Sequence, residues 1–119
     1  MIAADLHMHS YFSDGLLPPE TVAELAKAVG AQAVALTDHD TVAGVASMCV
    51  ACEKLGIINL PGIEISTHAG CEVHILGYNL DIADVGLTAF LADMAAAKGK
   101  RIRAMLDKLA AHGMPLSFE

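Results

Sequence analysis

Asp5-Leu6-His7-Met8-His9-Ser10, followed closely by Ser13-Asp14-Gly15, is the stretch from which the rest of this 119-residue chain can be read. It holds three candidate metal ligands, His7, His9 and Asp14. Ile2-Ala3-Ala4 runs directly into it and reads as a short buried strand. Side chains alternate faces along a strand, so Asp5, His7 and His9 are expected on one face. A His-x-His at a strand end can grip one ion with two imidazoles. Gly15 allows a sharp turn, which lets Asp14 swing back toward the same space.

Working outward, the chain reads β-α-β-α-β-β-α. Leu16-Leu17-Pro18-Pro19-Glu20 leads into a helix whose apolar positions, Val22, Leu25, Ala26 and Val29, recur at helical spacing before Gly30. Ala33–Thr37 is a short apolar run, expected as a second buried strand. It ends in Asp38-His39-Asp40-Thr41, with Thr41 expected to cap a helix from about Val42 to Leu55. Ile57–Leu60 reads as a third strand. Pro61 and Gly62 interrupt it, placing Glu64 on an irregular extension. Thr67–Cys71 reads as a turn. Glu72–Gly77 alternates polar and apolar residues as a fourth strand, with His74 on the Glu72 side. A long helix is expected from about Asp84 to Ala111, with Gly99 as a candidate break and His112-Gly113 as its end.

The composition suits that reading. The chain is 55% hydrophobic but only 4% aromatic, with a mean hydropathy of +0.51. Ala, Val, Leu and Ile supply the bulk, as in a parallel α/β core buried on both faces of its sheet. A formal net charge of −7 leaves no basic footprint for duplex nucleic acid. An acidic chain can still meet phosphate if cations sit in its site. No run of about 20 apolar residues is present to span a bilayer. No basic segment precedes an apolar run at the start, so the expectation is a cytoplasmic protein with free Cys49, Cys52 and Cys71.

In parallel α/β folds, function collects at the C-terminal ends of strands. Here the strand ends are expected to carry His7 and His9, His39, Glu64, and His74. Imidazole with carboxylate suits Zn, Mn or Fe, whereas all-oxygen sites suit Mg. His39 lies between Asp38 and Asp40. Those acids could serve the following helix, or one of them, such as Asp38, could fix the His39 tautomer from behind. Glu64 is the group able to bridge two ions through its two oxygens. His68 reads as solvent-exposed, and His112 as a helix-end residue. Cys49-Val-Ala-Cys52 lies in an apolar helix without a second pair, so it reads as buried structural cysteines rather than a zinc or redox motif. Lys98, Lys100, Arg101 and Arg103 form the one basic cluster, either a solvated helix face or a source of phosphate contacts. Without a Gly-rich phosphate loop or a G-x-S-x-G, metal-activated water is the available nucleophile.

Together these segments resemble the PHP (polymerase and histidinol phosphatase) family. Its first four motifs are matched in order by Asp5…Gly15, Thr37-Asp-His-Asp-Thr41, Gly62-Ile-Glu-Ile-Ser66 and Val73-His-Ile-Leu-Gly-Tyr-Asn79. The chain is most similar to stand-alone bacterial members that act on 3′,5′-nucleoside bisphosphates or trim short RNA from its 5′ end. The resemblance implies an α/β fold, a distorted (β/α)7 TIM-like barrel, with two or three divalent ions of Mn, Zn, Fe or Mg. It implies that His7, His9 and Glu64 hold one ion. Glu64 would bridge to a second, shared with His74, and Asp14 and His39 would hold a third. The implied activity is hydrolysis of a phosphomonoester by a metal-activated hydroxide that Glu64 positions. Arg101 and Arg103 match an Arg-x-Arg pair of such relatives and are expected to bind substrate phosphate.

Barrels of this type take about 200–250 residues. Residues 1–119 are therefore expected to form the N-terminal part of a PHP domain, lacking the last strands and ligands. An open half-barrel is expected to self-associate or to need its C-terminal half. The alternative function is a non-catalytic half-domain that binds metal weakly and serves assembly or regulation.

Overall fold

The computed structural model describes residues 3–117, and the chain divides into two compact units after Asp84. The first unit opens with β1 (Ala4–Met8), α1 (Pro19–Ala28), β2 (Ala33–Leu36), α2 (Val45–Leu55) and β3 (Ile58–Asn59). β1, β2 and β3 form a parallel sheet in that order. β2 is central and buried on both faces, with Val34, Ala35, Leu36 and Thr37 all at 1% exposure or less. Such burial suits its unbroken apolar run.

Val34 and Leu36 meet Ala23 and Ala26 of α1 and Met48, Ala51 and Cys52 of α2 in one core. Small residues on both helices let them approach the sheet closely. The buried α2 residues, Val45, Met48, Ala51 and Cys52, fall at helical spacing. Each helix ends on a glycine with positive φ (Gly30, Gly56 and Gly113). At each end the residue after the glycine donates its N–H to a carbonyl five residues back.

The unit closes with β4 (Gly62–His68) and β5 (Glu72–Tyr78), an antiparallel hairpin. β4 continues the line of β3 alongside β2. Ile58 N–H donates to Gln32 O, Leu60 N–H to Val34 O and Glu64 N–H to Asp38 O. Pro61, lacking an N–H, interrupts this ladder, as expected. Asp40 N–H returns a bond to Glu64 O, so His39 and Glu64 lie side by side. The Tyr78 hydroxyl donates to Leu6 O at 2.8 Å and ties the hairpin to β1. The second unit carries α3 (Val85–Ala111).

Several expectations need correction. Ala3 and Ala4 are exposed, because β1 is an edge strand of its sheet; Ile2 lies outside the described residues. α2 starts at Val45, not Val42, and Thr41 does not cap it. Its hydroxyl instead accepts the Ala43 N–H in a local turn. Thr67 and His68 belong to β4, leaving residues 69–71 as the turn. His74 is the third residue of a strand rather than a strand end. Gly99 does not break α3: flanking helix formers carry the helix past it at a cost of about 1 kcal/mol relative to Ala. Cys52 is buried, but Cys49 is exposed. Burial, with Cys49 nearby, pushes the Cys52 thiol up to about 11. A thiol raised in this way is a poor nucleophile and metal ligand, which agrees with a structural role.

Candidate metal centre

The imidazoles arrive from different elements. His7 lies in β1 and His9 just beyond it. His39 follows β2, and His74 lies in β5. Their rings form a chain, with centroids 5.1 Å apart for His7–His9, 4.8 Å for His9–His39 and 4.9 Å for His39–His74. Glu64, 4% exposed, sits among them. Its Oε2 is 3.0 Å from His7 Nε2, 3.1 Å from His9 Nε2 and 3.6 Å from His39 Nδ1. Its Oε1 is 2.9 Å from His74 Nδ1. Asp14 swings back as expected: its Oδ1 is 3.2 Å from His9 Nδ1 and its Oδ2 3.6 Å from His39 Nε2.

Three groups of potential donors emerge, each with atoms within 4.8 Å of one another: His7, His9 and Glu64; His9, Asp14 and His39; and His39, Glu64 and His74. All six candidate ligands from the sequence are therefore brought together. Glu64 belongs to two groups and has two oxygens to serve them.

The electrostatics fit a cation site. Burial alone raises the Glu64 carboxyl, but hydrogen bonds from His7 and His74 and the positive potential of His39 outweigh it and hold it below its ordinary value. Partial desolvation likewise raises Asp14, and His9, His39 and the Ser13 hydroxyl pull it below its ordinary value. His74 is raised by hydrogen bonds to Glu72 and Glu64, against a smaller desolvation effect. His39 Nδ1 is buried without a hydrogen-bond partner. Buried polar atoms are nearly always paired. An unpaired imidazole nitrogen amid carboxylates fits a group meant to donate a lone pair to an ion.

The structure assigns Asp38 a different task from the expected one. Its side chain does not hold His39. Asp38, 1% exposed, accepts from Ser10 N–H at 2.7 Å, Ser10 Oγ at 2.6 Å and Ser13 Oγ at 2.7 Å. It thereby fixes the loop that carries His9 and Asp14. Gly15 completes that loop: a Cβ there would lie 2.6 Å from His9 O, a clash with backbone. Asp40, with φ of 57°, accepts the Ser66 N–H at 2.8 Å and pins β4.

Sequence reasoning missed Ser10, Ser13 and Glu72. The Glu72 carboxylate lies 3.1 Å from His74 Nε2, on the ring edge opposite Glu64. The alternation that put Glu72 and His74 on one face was the available signal. Arg101 and Arg103 lie on α3, in the second unit, and are exposed. His68 is exposed as expected, and His112 directly follows the last residue of α3, as expected of a helix-end residue.

A PHP domain model matches residues 5–92. The chain belongs to the PHP family. It is 40% identical to a 5′-3′ exoribonuclease of Haemophilus influenzae over 97% of this chain and 42% of that protein. It is 38% identical to a 3′,5′-nucleoside bisphosphate phosphatase of Chromobacterium violaceum, over the whole chain and 42% of that protein. The fold is shared with a protein of Bifidobacterium adolescentis provisionally named a metal-dependent phosphoesterase. That match has a TM-score of 0.84 at 33% identity and covers 92% of this chain and 39% of that one. The chain thus spans about two fifths of the length of these PHP relatives. Its α/β class with a parallel sheet is the expected one. Among the described residues, no helix is long and apolar enough to cross a membrane.

Proposed function

We propose that this PHP chain carries the metal-holding part of a phosphoesterase that cleaves a phosphomonoester of a small nucleotide or short RNA. The supporting observation is the convergence of four imidazoles and Asp14 with a buried Glu64, with His39 Nδ1 left unpartnered. The relatives' names, a bisphosphate phosphatase and an exoribonuclease, supply the substrate class.

In this reading His7, His9 and Glu64 would hold one divalent ion. Glu64 and His74 would hold a second, and Asp14 and His39 a third. Mixed imidazole and carboxylate donors suit Mn, Zn or Fe better than Mg. When bound, such ions supply an activated water and neutralise phosphate charge. Glu64 spaces the donor groups, and Asp38 keeps the loop bearing His9 and Asp14 in place. Glu72 holds the His74 ring by its far nitrogen. Arg101 and Arg103 contribute forked donors to substrate phosphate.

The three-stranded sheet and its hairpin form the N-terminal part of a distorted (β/α)7 barrel in this reading. Further ligands come from the rest of such a barrel or from a second copy of this chain, so self-association is expected; a monodisperse monomer in light scattering would count against it. Three free cysteines fit the reducing cytoplasm. A second reading, a metal-binding domain without turnover, draws on the share of the relatives' length that this chain spans.

One experiment separates them. The chain is purified in Mn-containing buffer and its ions per chain are counted by elemental analysis. Phosphate release from adenosine 3′,5′-bisphosphate is then followed. Two or more ions with turnover that His7→Ala abolishes supports the phosphoesterase. Ions without turnover supports the second reading, and no bound ions refutes both.

A further inference from the structure

The loop between β1 and α1 shows water an unusual surface. Tyr11, Phe12, Leu16 and Leu17 are 53%, 39%, 93% and 39% exposed. This exposure is held in place rather than left to a loose loop. Asp38 grips Ser10 and Ser13, Tyr11 N–H donates to Leu17 O at 2.9 Å, and Gly15 N–H donates to Ser10 O at 2.9 Å.

Within this loop the two rings have different roles. Phe12 is anchored at the start of α2, where a Cβ on Gly44 would lie 3.0 Å from the Phe12 ring. Gly44 is thereby kept small, and Phe12 has a backing. Tyr11 leans on Phe12, with centroids 4.6 Å apart and planes at 37°. One side of the Tyr11 ring is supported while most of the residue stays open to solvent.

The position is as informative as the geometry. Tyr11 is two residues from His9, which bounds the separation of their Cα atoms at about 7 Å. His9 and Asp14 close the loop by their 3.2 Å contact. Along the chain, Tyr11 thus lies between two members of the cluster, in the loop that their contact closes. A nucleotide whose phosphate sits at the cluster must place its base one ribose away.

We propose that Tyr11, backed by Phe12, is the platform on which the base of the nucleotide substrate stacks. The proposal rests on the reading of the cluster as a phosphoester site. Stacking on an aromatic face is tolerant of base identity, because every base presents a π-face. The apolar neighbours Leu16 and Leu17 offer no side-chain hydrogen bonds to a base edge. Weak discrimination among the four bases follows.

The test measures binding to the Mn-loaded chain by isothermal calorimetry with three probes: inorganic phosphate, ribose 5-phosphate and adenosine 3′,5′-bisphosphate. Wild type, Tyr11→Ala and Tyr11→Phe are compared, and each is checked by thermal unfolding. Tyr11→Ala is expected to weaken the bisphosphate about tenfold and the two base-free probes less than about twofold. Tyr11→Phe, which keeps the ring, is expected to restore binding. Equal weakening of all three probes, or a lowered unfolding midpoint that accounts for the loss, would show that Tyr11 only shields the loop and would overturn the proposal. If phosphate binds but the bisphosphate gains nothing over ribose 5-phosphate in wild type, the platform alone is wrong. If inorganic phosphate itself does not bind, the phosphoester reading has failed and the platform falls with it.

Discussion

Asp38 and Glu64 are both buried carboxylates, at 1% and 4% exposure, on backbone segments that hydrogen-bond to one another. Their surroundings are opposite. Asp38 is met by neutral donors: a backbone N–H and two serine hydroxyls, all within 2.7 Å. Glu64 is met by four imidazoles, two of them nearer than 3.1 Å and one other with an unpartnered buried nitrogen. The first pocket is complete within the chain. The second gathers more lone pairs than its own members can satisfy. Burial alone therefore does not mark a functional carboxylate; the partners do.

The comparison can be broken first at Asp38. Asp38→Ala strands a buried N–H and a buried hydroxyl and frees the loop, so a loss of about 3 kcal/mol in metal-free stability is expected. Chemical denaturation in chelator measures it, and a loss under 1 kcal/mol would refute a structural role for Asp38.

Glu64→Gln should do the reverse. It keeps shape and some hydrogen bonding but removes the charge and the second donor oxygen. Metal affinity is expected to fall more than about 100-fold, equivalent to about 2.7 kcal/mol, while metal-free stability moves far less. Calorimetric Mn titration beside the same denaturation reads both quantities.

A smaller effect is expected at Glu72. Its carboxylate holds the His74 ring by Nε2 while Nδ1 faces Glu64. Partners that orient a metal-ligating His are worth about 10–100-fold in affinity. Because Glu72 is largely exposed, Glu72→Gln is placed at the lower end, near a tenfold loss of Mn affinity. An unchanged Mn affinity would show that Glu72 does not orient His74.

The gentlest probe is pH. In the metal-free chain the Glu64 carboxyl lies below its ordinary 4.5 and His74 above its ordinary 6.5. The Glu64 contribution to stability is present above pH 4.5 and is lost as pH falls through its folded value. The His74 contribution is full below pH 6.5 and is lost as pH rises through its folded value. The pair thus stabilises most between those limits, and the gap between wild type and His74→Ala should shrink above them. Metal affinity should run the other way, strengthening as pH rises and His74 loses its proton. Denaturation and Mn titration across pH 4–9 should therefore show opposite slopes above pH 6.5.

Much of this was legible in the chain. Local rules announced the helix ends at Gly30, Gly56 and Gly113 and the interruption at Pro61, because positive φ and a missing N–H are properties of single residues. The candidate ligands were legible too, since His-x-His and the polar tips of apolar strands have few other uses. The start of α2, the strand position of His74 and the task of Asp38 were not. Each depends on which distant backbone group lies nearest, and no local pattern records that.

The sequence by itself determined an α/β chain with apolar strands, capped helices and six candidate ligands, through side-chain period and the chemistry of imidazole and carboxylate. Only the tertiary structure decided how they combine. The hairpin runs antiparallel and is tied to β1 by Tyr78, so His74 faces Glu64 from across the cluster. Asp38 turns away from the adjacent His39 to hold a loop 25 to 28 residues earlier. Spacing along a chain fixes which residues share a face, whereas pairing between faces is settled by close packing and by the need of every buried polar atom for a partner.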